Sequence, residues 1–315
     1  MQSIDDRSDD AAGPASVPGQ WKERLDDPFN RFYRYPVARL LVRVLLPTPI
    51  TPNQISFVQP FLAAAAGYCV TFADRRHLVL AAVLFELRAI LDCADGTLAR
   101  ARGQCSPSGH AVDAVADWLA TALLYAGIFW HFLLYPPLPG AWSRYLSVGG
   151  VLLLALVQGG LRSFAADHYK HKYTSIFEQG RDGPADDLAR KVRALGPGSS
   201  IFARIDALIA RAEHLAFEHE IFDVELAGPR RGDVARLRAR AGSPMARLVA
   251  VLWSVSNGDA FLSLVTISLL TGRLWEGQLF FALAGLPWIV LVVALNARFA
   301  RGPSRSRNAL GRTAG

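Results

Sequence analysis

The chain has 315 residues, of which 51% are hydrophobic and only 19% are charged, and its mean hydropathy is +0.21. This composition excludes an ordinary soluble domain and is typical of an integral membrane protein. The net charge of +7 comes without any recognisable nucleic-acid-binding module, so we attribute it to contact with anionic membrane lipids and expect no nucleic acid as a partner.

The N-terminal region divides into two parts before the first apolar run. Residues 1–20 are acidic and rich in Pro, Gly and Ser, which predicts a disordered tail with no signal peptide. Residues 21–50 mix apolar side chains with arginines. We predict an amphipathic helix there that lies in the headgroup layer, with its arginines toward lipid phosphates. A soluble amphipathic helix packed on a domain is the alternative.

Six apolar runs have about the 20 residues that a helix needs to cross a bilayer. We therefore predict an all-α integral membrane protein with six transmembrane helices, at 54–72, 78–95, 112–135, 145–166, 247–271 and 278–299. Residues 51–166 would carry the first four helices, beginning with a break and a helix cap at Thr51-Pro52-Asn53. Residues 247–299 would carry the last two, and residues 300–315 would form a basic C-terminal tail.

The basic residues predict the orientation in the membrane. With six spans both termini lie on one side, and the loops on the other side would carry only Arg75, Arg76, Arg144 and Arg273. The positive-inside rule then places both termini, the 96–111 loop and residues 167–246 in the cytoplasm. We expect the protein in the inner (cytoplasmic) membrane of the cell.

The segment 167–246 is too long for a plain loop between two spans. Its apolar residues recur at helical spacing between Ile201 and Leu215, and Pro and Gly residues divide the rest into short pieces. We predict a cytoplasmic helical insertion that covers the membrane face or contacts a second subunit. The three cysteines, Cys69, Cys93 and Cys105, are odd in number and lack metal-site spacing, so we expect them to be packing residues.

Four aspartates stand at the predicted cytoplasmic edge of the second and third spans. Asp92 and Asp95 lie three residues apart and Asp113 and Asp117 lie four apart, so each pair shares one helical face. An antiparallel hairpin would bring the two pairs together. Because like charges at close range push one another toward protonation, such a cluster needs bound cations. Carboxylates that bridge hard divalent cations resolve this conflict, as in two-metal phosphoryl-transfer sites.

The residues around the aspartates suit a diphosphate ligand. Arg100 can form charge-assisted hydrogen bonds to phosphate oxygens, and Gly96 and Gly109 allow a ligand to approach the backbone closely. Each residue also has an ordinary structural explanation. Arg100 could be a positive-inside anchor, Gly96 a helix C-cap and Gly109 a turn glycine. Those explanations leave the four carboxylates at a membrane edge unaccounted for.

The complete pattern resembles the signature of the CDP-alcohol phosphotransferase (CDP-alcohol phosphatidyltransferase) family. It matches at all eight fixed positions and at every spacing: Asp92-x2-Asp95-Gly96-x2-Ala99-Arg100-x8-Gly109-x3-Asp113-x3-Asp117. The amphipathic segment and the six spans also resemble this family. The insertion at 167–246 is longer than the family's usual connection, which leaves the subfamily open.

The resemblance implies a transferase of phospholipid biosynthesis in which a hydroxyl attacks the β-phosphorus of a CDP-linked alcohol and CMP leaves. It implies that two divalent metal ions, Mg²⁺ or Mn²⁺, bind to Asp92, Asp95 and Asp113, with Asp117 as a shared ligand and as the general base. It further implies that CDP contacts a second set of residues, namely Gly96, Ala99, Arg100 and Gly109. The partners would be a CDP-linked alcohol, an acceptor alcohol and membrane lipids, and we expect a homodimer.

The substrates remain open between two lipid chemistries. We favour CDP-diacylglycerol with a small alcohol, and the alternative is a CDP-linked small alcohol, as in choline, ethanolamine or polyol-phosphate transferases. Charged residues inside spans are substrate contacts by default, so Arg162, with His168, Lys170 and Lys172 after it, and Asp259 are acceptor-binding candidates. Internal ion pairs, Arg162–Asp259 or Glu86–Arg88, are the competing explanation.

Two other classes of membrane protein also use acidic clusters. A membrane prenyltransferase binds a diphosphate through aspartates, but its second motif is expected far along the chain. A divalent-cation transporter needs acids in several spans near mid-membrane. Here the acids concentrate at one edge of a single hairpin, which favours the phosphotransferase.

Overall fold

The computed structural model describes residues 20–104, 107–138, 141–217 and 231–301, and every regular element within these ranges is a helix. The helices before the insertion are α1 (Gln20–Leu25), α2 (Tyr35–Leu45), α3 (Pro52–Val70), α4 (Arg75–Ala101), α5 (Pro107–Leu134) and α6 (Ala141–Thr174). The later helices are α7 (Gly183–Ala194), α8 (Ile201–Phe217), α9 (Arg231–Ala239), α10 (Pro244–Ser254), α11 (Gly258–Thr271) and α12 (Leu274–Arg301). Two π-helical turns, Asn30–Arg34 and Ser175–Gln179, lead into α2 and follow α6. The predicted tails lie almost wholly outside the described residues.

Helices lie across all six predicted spans, but they differ in how well they suit a bilayer. Three segments are long and apolar enough to cross it: Val115–Leu134, Val148–Gln179 and Leu274–Arg301. A fourth candidate is the pair α10 and α11, which is bent by 51°. These apolar helices identify a membrane protein. The full six-span topology remains a prediction, because α3 and α4, although 19 and 27 residues long, are not among the helices apolar enough to count as candidate spans.

Local hydrogen bonds explain where several helices begin. The predicted entry to the first span is a capping box, in which Gln54 N donates to Thr51 Oγ1 and the Gln54 side chain accepts from Thr51 N. The predicted fifth span is two helices, because the chain leaves the helical path at residues 255–257. Asn257 Oδ1 then accepts a hydrogen bond from Ala260 N at 2.9 Å and starts α11.

The backbones of α3 and α5 approach each other at two glycines. A Cβ atom added at Gly67 would lie 2.6 Å from the carbonyl oxygen of Leu123, and one at Gly127 would overlap the backbone of Gly67. Small residues permit this close packing of membrane helices, which replaces the hydrophobic driving force that lipid does not supply. The contact fixes α5, and with it two of the motif aspartates, against the first bundle helix.

Helix α2 packs on α4 but leaves two of its large apolar side chains uncovered. Ala38 and Val42 are buried against Ala94 and Leu98, whereas Leu40 and Val44 are exposed. A soluble amphipathic helix would bury such residues on its domain. The exposed apolar face therefore supports the predicted position in the headgroup layer.

Polar contacts join the N-terminal segment to the bundle. Arg34 donates from Nε and Nη2 to the two carboxylate oxygens of Glu86 in α4, at 2.7 and 2.9 Å. Asn30 Nδ2 donates to Asp259 Oδ2 at 2.6 Å. Arg102 donates to carbonyl oxygens at the end of α2, including those of Leu45 and Thr48. A bidentate pair and a cap of this kind hold α2 in one register along α4.

The described residues of the segment 167–246 lie mainly in helices, and the segment does not begin where the prediction placed it. Helix α6 does not end at residue 166 and continues to Thr174, because its extension carries a second apolar face that packs on α10 and α12. Helices α7, α8 and α9 follow, and residues 218–230 lie outside the description. The cytoplasmic position of this segment remains a prediction.

Candidate active site

Three motif aspartates converge where α4 and α5 lie side by side. Asp92 and Asp95 come from α4 and Asp113 comes from α5, and one carboxylate oxygen of each lies within 4.8 Å of the other two. Asp95 is only 4% exposed. The hairpin predicted from the sequence therefore brings both ends of the motif to one place.

Helix α3 orients the most buried of these carboxylates. Ser56 Oγ and Gln59 Nε2 donate to the same oxygen of Asp95, at 2.6 and 2.8 Å. Ser56 and Gln59 are themselves buried and stand three residues apart on one face of the helix. Both donors take Oδ2, so they orient the Asp95 carboxylate from one side.

The fourth aspartate has a different partner. Asp117 Oδ1 accepts a hydrogen bond from Arg88, and the same guanidinium group lies 4.0 Å from Asp92. The Arg88 side chain is 2% exposed and lies over the ring of Phe85. Asp117 is thus adjacent to the cluster but does not belong to the group of three converging oxygens among the described residues.

The structure corrects the predicted loop 96–111. Helix α4 continues to Ala101 and α5 begins at Pro107, so Gly96, Ala99 and Arg100 lie on the last helical turns rather than after a turn. The backbone of α4 stays helical past Gly96. Within this stretch Thr97 Oγ1 donates to the carbonyl oxygen of Cys93. Gly96, Ala99 and Arg100, together with Asp92, share one helical face by their spacing. Gly109 lies in the first turns of α5.

Arg100 is available to an anionic ligand. Its guanidinium is exposed and donates to Thr97 Oγ1 at 3.2 Å. The small residues Gly96 and Ala99 leave this face of α4 without large side chains. The four positions that the family resemblance connects with CDP thus lie on the two helices that carry the aspartates.

The candidate acceptor contacts are arranged differently from the expectation. Arg162 lies over the ring of Phe261, 5.6 Å from the centroid, and its buried Nε has no hydrogen-bond partner in the described residues. Asp259 instead accepts the hydrogen bond from Asn30. The predicted ion pair between Arg162 and Asp259 is therefore absent from the described part of the chain.

The basic residues after Arg162 do not form an open pocket for an anion. Lys170 pairs with Asp26 of the N-terminal segment, and Lys172 lies 3.7 Å from Asp182. The His168 side chain is fully buried. The alternative pair Glu86–Arg88 is also wrong, because Glu86 binds Arg34 and Arg88 binds Asp117. The partner of Glu86 comes from the N-terminal segment and the partner of Arg88 comes from α5, so neither lies on α4 itself.

The donor set of the cluster fits a divalent cation. Three carboxylates on two helices offer only hard oxygen ligands, which Mg²⁺ and Mn²⁺ prefer over the softer ligands that zinc or copper favour. Three negative groups at this spacing also repel one another unless a cation lies between them. The residues that are present therefore match the metals that the sequence motif predicts.

Sequence reasoning missed three residues of the site: Ser56, Gln59 and Arg88. Ser56 and Gln59 carried a weak signal, since they are polar residues at helical spacing inside an otherwise apolar run. Arg88 lies four residues before Asp92, a spacing that places it on the same face of the helix as the motif. Nothing in the sequence indicates that Arg88 pairs with Asp117, which lies on the next helix.

Comparison with known proteins finds a matching family model and several similar proteins. Residues 49–178 match the model of the family described as CDP-alcohol phosphatidyltransferase. A relative in Rubrobacter xylanophilus, "Bifunctional IPC transferase and DIPP synthase", is 32% identical over 189 residues, which cover 56% of this chain and 39% of that protein. The ceramide phosphoethanolamine synthase of Drosophila melanogaster is 33% identical over 38% of this chain and 33% of its own length.

A third relative is the phosphatidylinositol phosphate synthase of Corynebacterium glutamicum, which is 35% identical over 30% of this chain and 41% of its own length. The matched part of the chain thus spans between 33% and 41% of these three relatives. The family match begins just before α3 and ends within the turn after α6, so it includes the whole aspartate cluster. Residues 49–178, which carry the aspartate cluster, are thus similar to the CDP-alcohol phosphatidyltransferase family.

Proposed function

We propose that the chain is a metal-dependent phosphotransferase that moves a substituted phosphate from a CDP-linked alcohol to an acceptor hydroxyl and releases CMP. The observation that carries this proposal is the convergence of Asp92, Asp95 and Asp113 within a segment that matches the family model. A structural cluster of three carboxylates with no cation would be unstable, and diphosphate chemistry needs such a cation site.

In this proposal Asp92, Asp95 and Asp113 hold two divalent cations with Asp117 as a shared ligand. The donors Ser56 and Gln59 fix the orientation of Asp95. When bound, the cations would neutralise the diphosphate and stabilise the charge on the departing CMP. The protein contributes at least one restrained ligand, because Ser56 and Gln59, which lie outside the metal-binding set, restrict the rotamer of Asp95.

Asp117 is the proposed general base and takes the proton of the acceptor hydroxyl at its carboxylate. Its partner Arg88 holds that carboxylate in place beside the cluster. Arg100, which is exposed at the end of α4, is positioned to hold a phosphate of the donor. Gly96, Ala99 and Gly109 leave space for the nucleotide.

For the donor we propose CDP-diacylglycerol, consistent with a site at the edge of apolar helices and with relatives named as phosphatidylinositol phosphate synthases. Arg162 is the proposed contact for an anionic acceptor, since its guanidinium has no carboxylate partner in the described residues. Asp259 is left as a weaker candidate because Asn30 already engages it. We further propose an inner-membrane location, with the site facing the cytoplasm, and a homodimer.

A CDP-linked small alcohol with a lipid acceptor is the second candidate, because one relative is named as a ceramide phosphoethanolamine synthase. The deciding experiment measures CMP release by the purified protein with CDP-diacylglycerol, CDP-choline or CDP-ethanolamine and a panel of acceptor alcohols. Activity should need Mg²⁺ or Mn²⁺ and should disappear with a chelator and in Asp113→Asn. Turnover of prenyl diphosphates, or full activity without metal, would contradict the proposal.

A further inference from the structure

A cavity outside the aspartate site lies between the N-terminal segment and α10. Its volume is about 330 Å³, and its lining includes three arginines, Arg24, Arg31 and Arg247. None of the residues that line it belongs to the proposed active site. The family match begins at residue 49, so neither wall of this cavity falls within the matched region.

The three arginines have no carboxylate partner within the described ranges. Arg24 and Arg31 lie over the rings of Trp21 and Phe32, each 5.1 Å from the centroid, and Arg247 donates only to the carbonyl oxygen of Gly242 at 3.3 Å. The single acid in the lining, Asp26, is already paired with Lys170 outside it. The cavity therefore presents positive charge that no described residue neutralises, which is the electrostatic condition for an anion site.

The remaining lining is apolar and faces outward. Phe32 is 74% exposed and Val251 is 56% exposed, and Val255 continues the same surface along α10. Exposed apolar side chains beside arginines are typical of the boundary between headgroups and acyl chains. The position agrees with this, since Phe32 directly precedes the amphipathic helix α2 and α10 begins the fourth candidate span.

We propose that this cavity binds one anionic phospholipid, with its phosphate held by Arg24, Arg31 and Arg247 and its acyl chains along Phe32 and Val251. Charge complementarity identifies the headgroup, and the apolar lining distinguishes a lipid from a free phosphate ion. This inference does not depend on the proposed reaction.

A bound lipid would affect the structure through the π-helical turn Asn30–Arg34, which contacts both the cavity and the bundle. Arg31 and Phe32 face the cavity, while Asn30 and Arg34 of that turn face the bundle and bind Asp259 and Glu86. A lipid that holds the outer face of the turn also restrains the inner face. Occupancy should therefore stabilise the attachment of the N-terminal segment.

The test uses the purified full-length protein in nanodiscs of phosphatidylcholine alone or with one-fifth phosphatidylglycerol, followed by native mass spectrometry of retained lipid. We expect one retained phosphatidylglycerol. The triple variant Arg24→Gln, Arg31→Gln, Arg247→Gln should lose about 100-fold in affinity, roughly fivefold for each arginine. The matched control carries the same loss of charge at Arg39, Arg43 and Arg211, three exposed arginines outside the cavity, and should retain the lipid.

Two further arms separate the possible ligands. Phe32→Ser removes an exposed side chain, so it should leave the thermal midpoint unchanged and weaken lipid retention severalfold. Inorganic phosphate at millimolar concentration should not displace the lipid. Equal loss in the control triple variant would mean diffuse electrostatic attraction, and displacement by phosphate would mean a plain anion site. Either outcome would overturn the proposal, as would unchanged retention in the single variant Arg31→Gln.

Discussion

Arg88 permits the most discriminating test of the aspartate site. Its guanidinium contacts Asp117 and lies 4.0 Å from Asp92, two carboxylates that the proposed metals would also use. Arg88 and the metals are therefore expected to compete for the same negative charge. We predict that Arg88→Gln destabilises the protein when metal is absent and does so much less when metal is present.

The size of the effect follows from the burial of the pair. Removing one partner of a fully buried ion pair costs about 3–5 kcal/mol. The Arg88 side chain is 2% exposed but that of Asp117 is 41% exposed, so solvent screening should reduce the loss to about 1–3 kcal/mol. Metal binding should become about tenfold tighter, because roughly 1.4 kcal/mol of competition, near the value of one hydrogen bond to a charged group, disappears.

The assay is thermal unfolding in detergent over a Mn²⁺ titration, with a chelator as the baseline. Arg34→Gln is the matched control, since Arg34 is equally buried but pairs with Glu86 rather than with a motif aspartate. It should lower the midpoint by the same amount at every metal concentration. If Arg88→Gln behaves in the same way, or binds Mn²⁺ more weakly than the parent chain, Arg88 supports the metal-bound arrangement and does not compete with it.

Three further predictions concern the base, the orientation of the ligands and the pH dependence of stability. Asp117→Asn should reduce CMP formation by ~10²–10⁴-fold while Mn²⁺ binding, measured by thermal shift, persists; full activity at high metal would show that Asp117 is only a ligand. Gln59→Ala removes a donor to Asp95 and should raise the Mn²⁺ concentration for half-maximal stabilisation by about 10–100-fold, whereas an unchanged titration would contradict the orienting role. Burial raises the pKa of Asp27 to about 6, and nearby Asp259 adds to this. Because the folded pKa lies above the unfolded value, this group's stabilising effect is complete below pH 4 and is lost as the pH rises to about 6. Asp27→Asn should flatten that part of the stability curve, and an unchanged slope between pH 4 and 6 would exclude Asp27 as its source.

The sequence predicted the features that depend on local spacing. The lengths of the apolar runs gave the positions of the six predicted spans, and the cap at Thr51 was visible as a break before an apolar run. The shared faces of Asp92 with Asp95 and of Asp113 with Asp117 follow directly from helical geometry. Joining two such faces by a short connection predicted that all four aspartates meet. Asp92, Asp95 and Asp113 do converge, whereas Asp117 lies beside them and contacts Arg88.

Features that depend on contacts between distant elements could not be predicted in this way. Arg34 and Glu86 are 52 residues apart, and Asn30 and Asp259 are 229 apart. Each residue has possible polar partners nearer in the sequence, and only the contacts of the N-terminal segment with α4 and α11 decide between them. The end of α4 was also misplaced, because Gly96 lies inside the helix, whereas a glycine at such a position in a sequence often indicates a helix terminus.

The low hydropathy of α3 and α4 has a consequence for how the chain is made. In the six-span topology these helices leave the ribosome before α5, yet α4 carries Glu86, Arg88, Asp92 and Asp95. A charged residue at the centre of a lone helix costs about 2.5–3.5 kcal/mol during membrane insertion. Asp117, the partner of Arg88, is synthesised 29 residues later in α5. Gly127, against which Gly67 of α3 packs, lies in the same helix. We therefore expect cooperative membrane insertion of the hairpin formed by α4 and α5. Helices α3 and α4 would stay at the translocon until α5 is synthesised, and the three helices would then enter the lipid together.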